Sequence, residues 1–269
     1  MISPQRLVPR ALAALAGAAL LGGASAAWAA EEAPPDDGAA RAADEAPTPR
    51  PAPSAAPAPA AARAEPTWYA QALARGEAGL NVTHFWSKGA KLRAETVVAG
   101  HKVVTLVNGP WYYAYDVLAR EGIALARTPD ALARDEPGRR PFGNEAEALL
   151  HQGGQKVGEE TILGIVCDIY RLTDRMGRRE VWVMRGGSQL PIRLSIFDRA
   201  RGASTTTDFL NWQSGLPIDD RFFEPDPGVE LPRLTIEEYF LRWGEQGPLG
   251  PVPILYADLL HGNVRKSGR

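Results

Sequence analysis

The chain has 269 residues and a formal net charge of −2, with 30 Lys and Arg against 32 Asp and Glu. This length allows one or two domains, and the near balance of charges argues against a nucleic acid or another polyanion as partner. A single cysteine, Cys167, excludes an intramolecular disulfide framework. Because Ile165 and Val166 flank it, we interpret Cys167 as a small apolar strand residue rather than a redox-active or nucleophilic thiol.

The first 29 residues have the organisation of a secretory signal peptide. Arg6 and Arg10 precede an apolar Ala/Leu run over residues 11–21, and Ala27-Trp28-Ala29 supplies a cleavage signal. The apolar run is shorter than the roughly 18 to 20 residues that span a bilayer, and no cysteine follows it to accept a lipid. We therefore expect a soluble periplasmic protein, cleaved near Ala29, with at most transient membrane contact.

Residues 30–66 consist mainly of Ala, Pro and charged residues, without aromatic side chains and without Val, Ile or Leu. Such a segment cannot bury enough apolar surface to offset the entropy of ordering, so it is predicted to be a disordered tether. The predicted folded domain spans residues 67–231. A C-terminal helix and a Pro-rich extension follow over residues 232–269.

The folded domain is predicted to open with a short helix over residues 67–76, because Thr67 is a suitable N-cap and Trp68, Ala72 and Leu73 fall near helical spacing. Four strands follow, separated by Gly-containing connectors of turn length. They are predicted over residues 82–86, 92–98, 102–107 and 111–115. Residues 116–141 are polar and are predicted to be irregular. Asn144 is a predicted N-cap for a helix that Gly153 and Gly154 end.

A second antiparallel meander is predicted from the apolar alternation in residues 162–172, 180–184 and 190–197. In the first of these strands, alternation places Ile165, Cys167 and Ile169 on one face. Val166, Asp168 and Tyr170 then lie on the other. Pairing Arg185 with Leu190 predicts three further cross-strand pairs, with Trp182 and Arg193 forming a surface cation–π contact rather than a recognition site. The pairs are Val183 with Ile192, Val181 with Leu194 and Trp182 with Arg193. One more strand is predicted over residues 203–213.

The C-terminal extension contains Thr235 and Glu238 at the spacing of a capping box, which predicts a helix that ends at Gly244. The tail that follows carries three prolines and the apolar run around Ile254 and Leu260. It is interpreted as an intramolecular strap across the sheet. The alternative interpretation is a solvent-facing motif that binds a protein partner.

Catalytic and metal-binding patterns are missing from the sequence. The four histidines (His84, His101, His151 and His261) are far apart and lack metal-ligand spacing, and no serine lies in a nucleophile elbow. The adjacent acids Asp219 and Asp220 are interpreted as a turn or helix cap rather than an acid–base pair. We therefore expect no enzyme activity, no metal and no cofactor.

The predicted strands are rich in aromatic residues. We expect a mainly β (α+β) fold in which a curved antiparallel sheet forms a half-open barrel lidded by short helices, with an apolar cavity suited to acyl chains. The candidate ligand-binding residues on its apolar face are Trp86, Trp111, Tyr113, Tyr115, Val183, Ile192, Leu194 and Phe209.

The order of several segments resembles the LolA/LolB-like outer-membrane lipoprotein-sorting superfamily and its periplasmic relatives. The segments are FWSKGAKLRAETVVAGHKVVTLVNGPWYYAYD, LLHQGGQKVGEETILGIVCDIYRL, VWVMRGGSQLPIRLSIFD and LPIDDRFFEPDPGVEL. The resemblance covers roughly residues 67–231. It implies a non-enzymatic half-barrel whose concave face holds the acyl groups of a lipid or lipoprotein in transit. The alternative is a cell-envelope sensor or scaffold that binds a protein partner through the C-terminal extension.

Overall fold

The computed structural model describes residues 65–77, 79–136, 138–186, 189–246 and 252–262. The predicted signal peptide and nearly all of the predicted tether lie outside these ranges. Twelve strands form the described fold: β1 Thr67–Gly76, β2 Gly79–Lys88, β3 Lys91–Val98, β4 His101–Asn108, β5 Trp111–Asp116, β6 Glu121–Ala126, β7 Gln155–Ile162, β8 Ile165–Asp174, β9 Gly177–Met184, β10 Pro191–Asp198, β11 Ala203–Ser214 and β12 Arg233–Leu234. The helices are α1 Pro129–Leu132, α2 Glu145–His151, α3 Ile236–Gln246 and α4 Ala257–His261, with a 3-10 helix at Asp220–Phe223.

All twelve strands belong to one open, curved sheet, in the order β12-β6-β5-β4-β3-β2-β1-β11-β10-β9-β8-β7. Neighbouring strands are antiparallel except β12, which runs parallel to β6. The predicted fold class is therefore confirmed. The two meanders predicted from the sequence are joined through β1 and β11, which pair at the centre of the sheet.

The helix predicted over residues 67–76 is wrong, because this segment is strand β1. Trp68, Ala70 and Ala72 alternate along it on the buried side, which is the period of a strand. β1 pairs along its length with both β2 and β11. Pairing with the backbones of two neighbouring strands therefore outweighs the weak helical pattern of this segment.

Three further strands were not predicted, namely β6, β7 and the two-residue β12. β6 lies inside the segment expected to be irregular, and its Ile123 and Leu125 are fully buried. β7 is mostly exposed, so its sequence shows little of the apolar alternation on which strand prediction depends.

In the second meander, the predicted pairs Val181 with Leu194 and Trp182 with Arg193 are confirmed. Val183, however, lies opposite Pro191 rather than Ile192, because a bulge shifts the register between Pro191 and Arg193. The Trp182 indole donates to Glu160 at 2.7 Å, and Arg193 donates to Asp208 at 2.6 Å. These partners take the place of the predicted cation–π contact.

The predicted helix caps are partly confirmed. Thr235 and Glu238 form the reciprocal bonds of a capping box at 2.8 and 3.2 Å, but α3 continues beyond Gly244 to Gln246. Asp219 caps the 3-10 helix by accepting from the Arg221 N–H. α2 forms as predicted, whereas the Asn144 side chain donates to the Arg140 carbonyl instead of capping the helix.

The sheet is covered on both faces. We call the face that carries Phe85, Tyr112 and Leu194 the core face, and the opposite face the outer face. Residues 222–231 cover part of the outer face, where Arg93 donates to the Phe222 carbonyl and to Asp226. The core face is covered by α2, by the loop before it and by residues 252–262, which we call the C-terminal strap.

Candidate functional site

The core face forms an apolar trough whose floor is built from small side chains. Ala70, Ala72, Ala94 and Ala114 are buried in the central strands. Because alanine leaves space above a sheet, larger side chains from other elements can enter there. How much of the trough stays open therefore depends on the side chains that the covering segments place above these alanines.

Aromatic rings from the cover and the floor meet over these alanines. Phe142, from the loop before α2, stacks on Phe85 with ring centroids 5.0 Å apart and on Trp212 at 5.5 Å. Trp68 contacts Trp212 edge-on at 6.4 Å, and Tyr256 of the C-terminal strap contacts Phe85 at 5.6 Å. The middle of the trough is thus occupied by the protein's own side chains.

The strap prediction for the C-terminal tail is confirmed. Val252 and Leu260 are buried in the core-face cluster, with 3% and 0% exposure. The Tyr239 hydroxyl donates to the Val252 carbonyl at 2.9 Å, and the Leu260 carbonyl accepts from the Thr128 N–H at 3.0 Å. The strap is therefore bound to both α3 and the end of β6.

Core-face side chains keep some accessible surface on β1, β11 and β10, which are neighbours in the sheet. The register places Ala74 opposite Thr207 and Thr207 opposite Leu194. Ala74, Thr207 and Ile196 are only partly buried, although Ile196 packs against the core-face cluster. We call this region the open end of the trough. It presents short polar and apolar side chains beside the aromatic cluster.

Two carboxyl groups approach one another beneath the cover. Burial, and then the neighbouring Asp258, raise the pKa of Glu145 to about 7, although the nearby Arg140 opposes this shift. Burial also raises the pKa of Asp258. The Oε2 atom of Glu145 is inaccessible and has no hydrogen-bond partner among the described residues. A neutral carboxylic acid suits this position better than a carboxylate.

The raised pKa of Glu145 predicts a pH-dependent stability. The folded state binds a proton that the unfolded chain releases near its ordinary pKa of 4.5, so stability should fall between about pH 4.5 and pH 7. Glu145→Gln should flatten this part of the profile and raise the melting temperature at pH 8. Thermal unfolding from pH 4 to 8 checks this, with Glu147→Gln as control. An unchanged slope in Glu145→Gln would contradict the assignment.

The structure divides the eight candidate ligand-binding residues between the two faces. Val183, Leu194 and Phe209 lie in the core-face cluster. Tyr113 and Tyr115 belong to an outer-face cluster, where Trp86 contacts Phe222 and Arg233 lies over Trp111. Ile192 lies in a third cluster with Cys167. The ligand-binding role of these residues stays a prediction, and they do not form one surface.

Sequence reasoning missed the aromatic side chains that fill the trough. On β5 the side chain of Tyr112 lies on the core face and is completely buried. Its neighbours Trp111 and Tyr113 lie on the outer face. Its neighbour Ala114 was the available signal, because a small residue two positions away marks the tightly packed face. Phe142 and Tyr256 lie outside the sheet, and no local pattern indicates where they pack.

Two of the four histidines contact polar side chains. His84 contacts the Tyr69 hydroxyl at 3.0 Å, and His101 contacts Asp116. Cys167 is buried, which raises the pKa of its thiol and agrees with its interpretation as a small apolar residue. Within the described ranges, no three His, Cys, Asp or Glu side chains are grouped as metal ligands. None of the described helices has the length and apolar character needed to cross a membrane.

A family model described as "Predicted periplasmic protein (DUF2092)" matches residues 144–231. This match begins at the N-terminus of α2 and ends before β12. A search of curated proteins found no match.

Several solved structures are similar to the chain. An uncharacterized conserved protein from Thermus thermophilus matches with 10% identity and a TM-score of 0.46, over 64% of this chain and 92% of that one. The Pseudomonas aeruginosa MucA/MucB complex matches with 14% identity and a TM-score of 0.40, over 61% of this chain and 57% of that one. A Vibrio parahaemolyticus domain named as an outer membrane lipoprotein-sorting protein matches with 10% identity and a TM-score of 0.30, over 60% and 89%. The superfamily that the sequence resembles thus occurs among these structures. With TM-scores below 0.5, the likenesses assign no ligand or activity to this chain.

Proposed function

We propose that the protein is a non-enzymatic periplasmic binding protein that holds an acyl chain of a lipid or lipoprotein in the trough. The observation that carries this proposal is the open end, where core-face side chains keep accessible surface beside a buried aromatic cluster. An acyl chain would enter between Ala74, Thr207 and Ile196 and lie against the aromatic rings. The family description and the signal-peptide pattern support the periplasmic location.

The trough is partly self-filled, which shapes the expected affinity. Covering about 400 Å² of acyl surface at roughly 25 cal/mol per Å² contributes about 10 kcal/mol, before the entropy of association is subtracted. The free energy needed to move Phe142 or the C-terminal strap would reduce this contribution further. We therefore expect moderate affinity and exchange of the ligand, which suit a carrier.

Filling the open end tests the proposal. Thr207→Trp adds an indole on the core face, between Ala74 and Leu194. It should weaken binding of a fluorescent long-chain fatty acid at least about tenfold, equivalent to about 1.4 kcal/mol. The matched control is Thr206→Trp, because Thr206 lies one residue away on the outer face, opposite Arg75 and Ser195. Equal affinity of both variants and the wild type would contradict the proposal.

A second candidate function is binding of an envelope protein through the C-terminal extension. The strap's main apolar residues are buried, but α3 exposes 58% of Phe240 and 70% of Leu241. Adjacent exposed apolar side chains suit a protein partner. A stoichiometric protein recovered with the chain in place of lipid, and lost from a Phe240→Glu variant, would favour this function.

A further inference from the structure

Strand β7 is a long free edge of the sheet. It occupies one end of the strand order and, within the described part of the chain, pairs only with β8. At the other end, β12 has only two residues. Every residue of β7 except Ile162 keeps solvent-accessible surface. A long exposed edge presents unpaired N–H and C=O groups to which another strand can bond.

The charged side chains of β7 bond to one another and to their own sheet. Lys156 contacts Glu159 and Asp168, both at 3.0 Å. Glu159 also contacts Arg185, and Glu160 accepts from the Trp182 indole. The side chains of Lys156 and Glu159 remain 44% and 51% exposed, so both can also contact a second strand.

Exposed apolar side chains lie along the same edge. Val157 on β7 is 47% exposed, and Leu163 in the following turn is 77% exposed. Val157 lies within β7 and Leu163 directly follows its last residue, so a single partner strand could cover both.

We propose that β7 pairs antiparallel with β7 of a second copy of this chain, about a two-fold axis at Gly158. Val157 is the extra residue of a bulge, so Lys156 and Glu159 are the neighbours of Gly158 in the ladder. They lie opposite Tyr170 and Asp168 of β8, which places them on one face. The two-fold axis therefore sets each Lys156 opposite Glu159 of the second copy.

The same axis places the exposed Leu163 of each copy against the second copy. In an antiparallel pair, the end of one β7 lies beside the start of the other. Leu163 of each copy thus approaches the segment after Leu150 of the second copy. A two-fold interface requires a surface that is complementary to itself. The edge of β7 meets this requirement in charge and in apolar surface, which favours a second copy of the chain as its partner.

The first test is sedimentation of the mature chain over a concentration series up to about 100 µM. We expect a monomer–dimer equilibrium that Val157→Lys and Leu163→Lys abolish without lowering the melting temperature. Leu118→Lys is the control, because Leu118 is 71% exposed and lies between β5 and β6. A monomer throughout, or a dimer lost only in Leu118→Lys, would overturn the proposal.

The second test fixes the register. Residues opposite one another in antiparallel strands have Cα atoms about 4.5 to 5.5 Å apart, within disulfide reach. Gly158→Cys in a Cys167→Ala background should therefore form a disulfide-linked dimer under mild oxidation. A Cβ at Gly158 would contact only Ile169, at 4.0 Å. Gly244→Cys is the control on α3, where a Cβ meets no atom within 4 Å. Equal cross-linking of both variants would exclude pairing about Gly158.

Discussion

Arg127→Met is expected to destabilise the protein by about 3 to 5 kcal/mol, the cost of breaking a buried ion pair. The Arg127 side chain is only 1% exposed and forms a bidentate ion pair with Asp135, at 2.7 and 2.8 Å. It also donates to the carbonyls of Gly109 and Leu259, at 2.9 and 2.8 Å. One guanidinium thus joins the β4–β5 turn, the segment after α1 and the C-terminal strap.

Chemical denaturation with tryptophan fluorescence measures this effect. Methionine keeps much of the side-chain volume, so the loss reports the polar contacts rather than a cavity. Arg201→Met is the control, because Arg201 is 48% exposed and lies 3.7 Å from Asp198. It should change stability by less than about 0.5 kcal/mol. Similar small losses in both variants would show that Arg127 does not hold the strap.

Leu260→Ala is expected to cost about 3 kcal/mol, a typical loss for removing a fully buried leucine side chain. Leu260 has no exposed surface and packs with the core face through the C-terminal strap. The prediction measures how much the packed strap contributes to stability. A strap residue contributes to global stability, whereas a leucine in a solvent-facing partner motif contributes almost nothing.

Leu241→Ala supplies the comparison for the strap. Leu241 is 70% exposed on α3, so its truncation should change the unfolding free energy by less than about 0.5 kcal/mol. Both variants should unfold in a single transition. A Leu260→Ala protein as stable as Leu241→Ala would place the tail outside the cooperative core.

The sheet was largely predictable, because alternation is a local property. β3, β4 and β5 lie within a residue or two of their predicted ends, and the Thr235 capping box defines the start of α3. β1 was mistaken for a helix because its partners β2 and β11 determine its conformation, and β11 lies more than 100 residues away in the chain. β7 was missed because an exposed edge strand need not alternate.

The candidate site was less predictable than the fold. One face of β5 carries Trp111, Tyr113 and Tyr115, and the other carries Tyr112 and Ala114. Only the curvature of the sheet decides that the second of these faces lines the trough. Tyr256 reaches Phe85 from far along the chain. Its position depends on long-range packing, for which the sequence has no local signal. An aromatic-rich sheet predicts an apolar site but does not show which residues line it.

The most direct test of acyl binding is native mass spectrometry of the protein purified without detergent from its native source. The account predicts a population heavier than the polypeptide by one lipid, with the lipid recovered in an organic extract. Thr207→Trp should lose this population and Thr206→Trp should keep it. Repeated preparations of the wild type at the bare polypeptide mass would contradict the account.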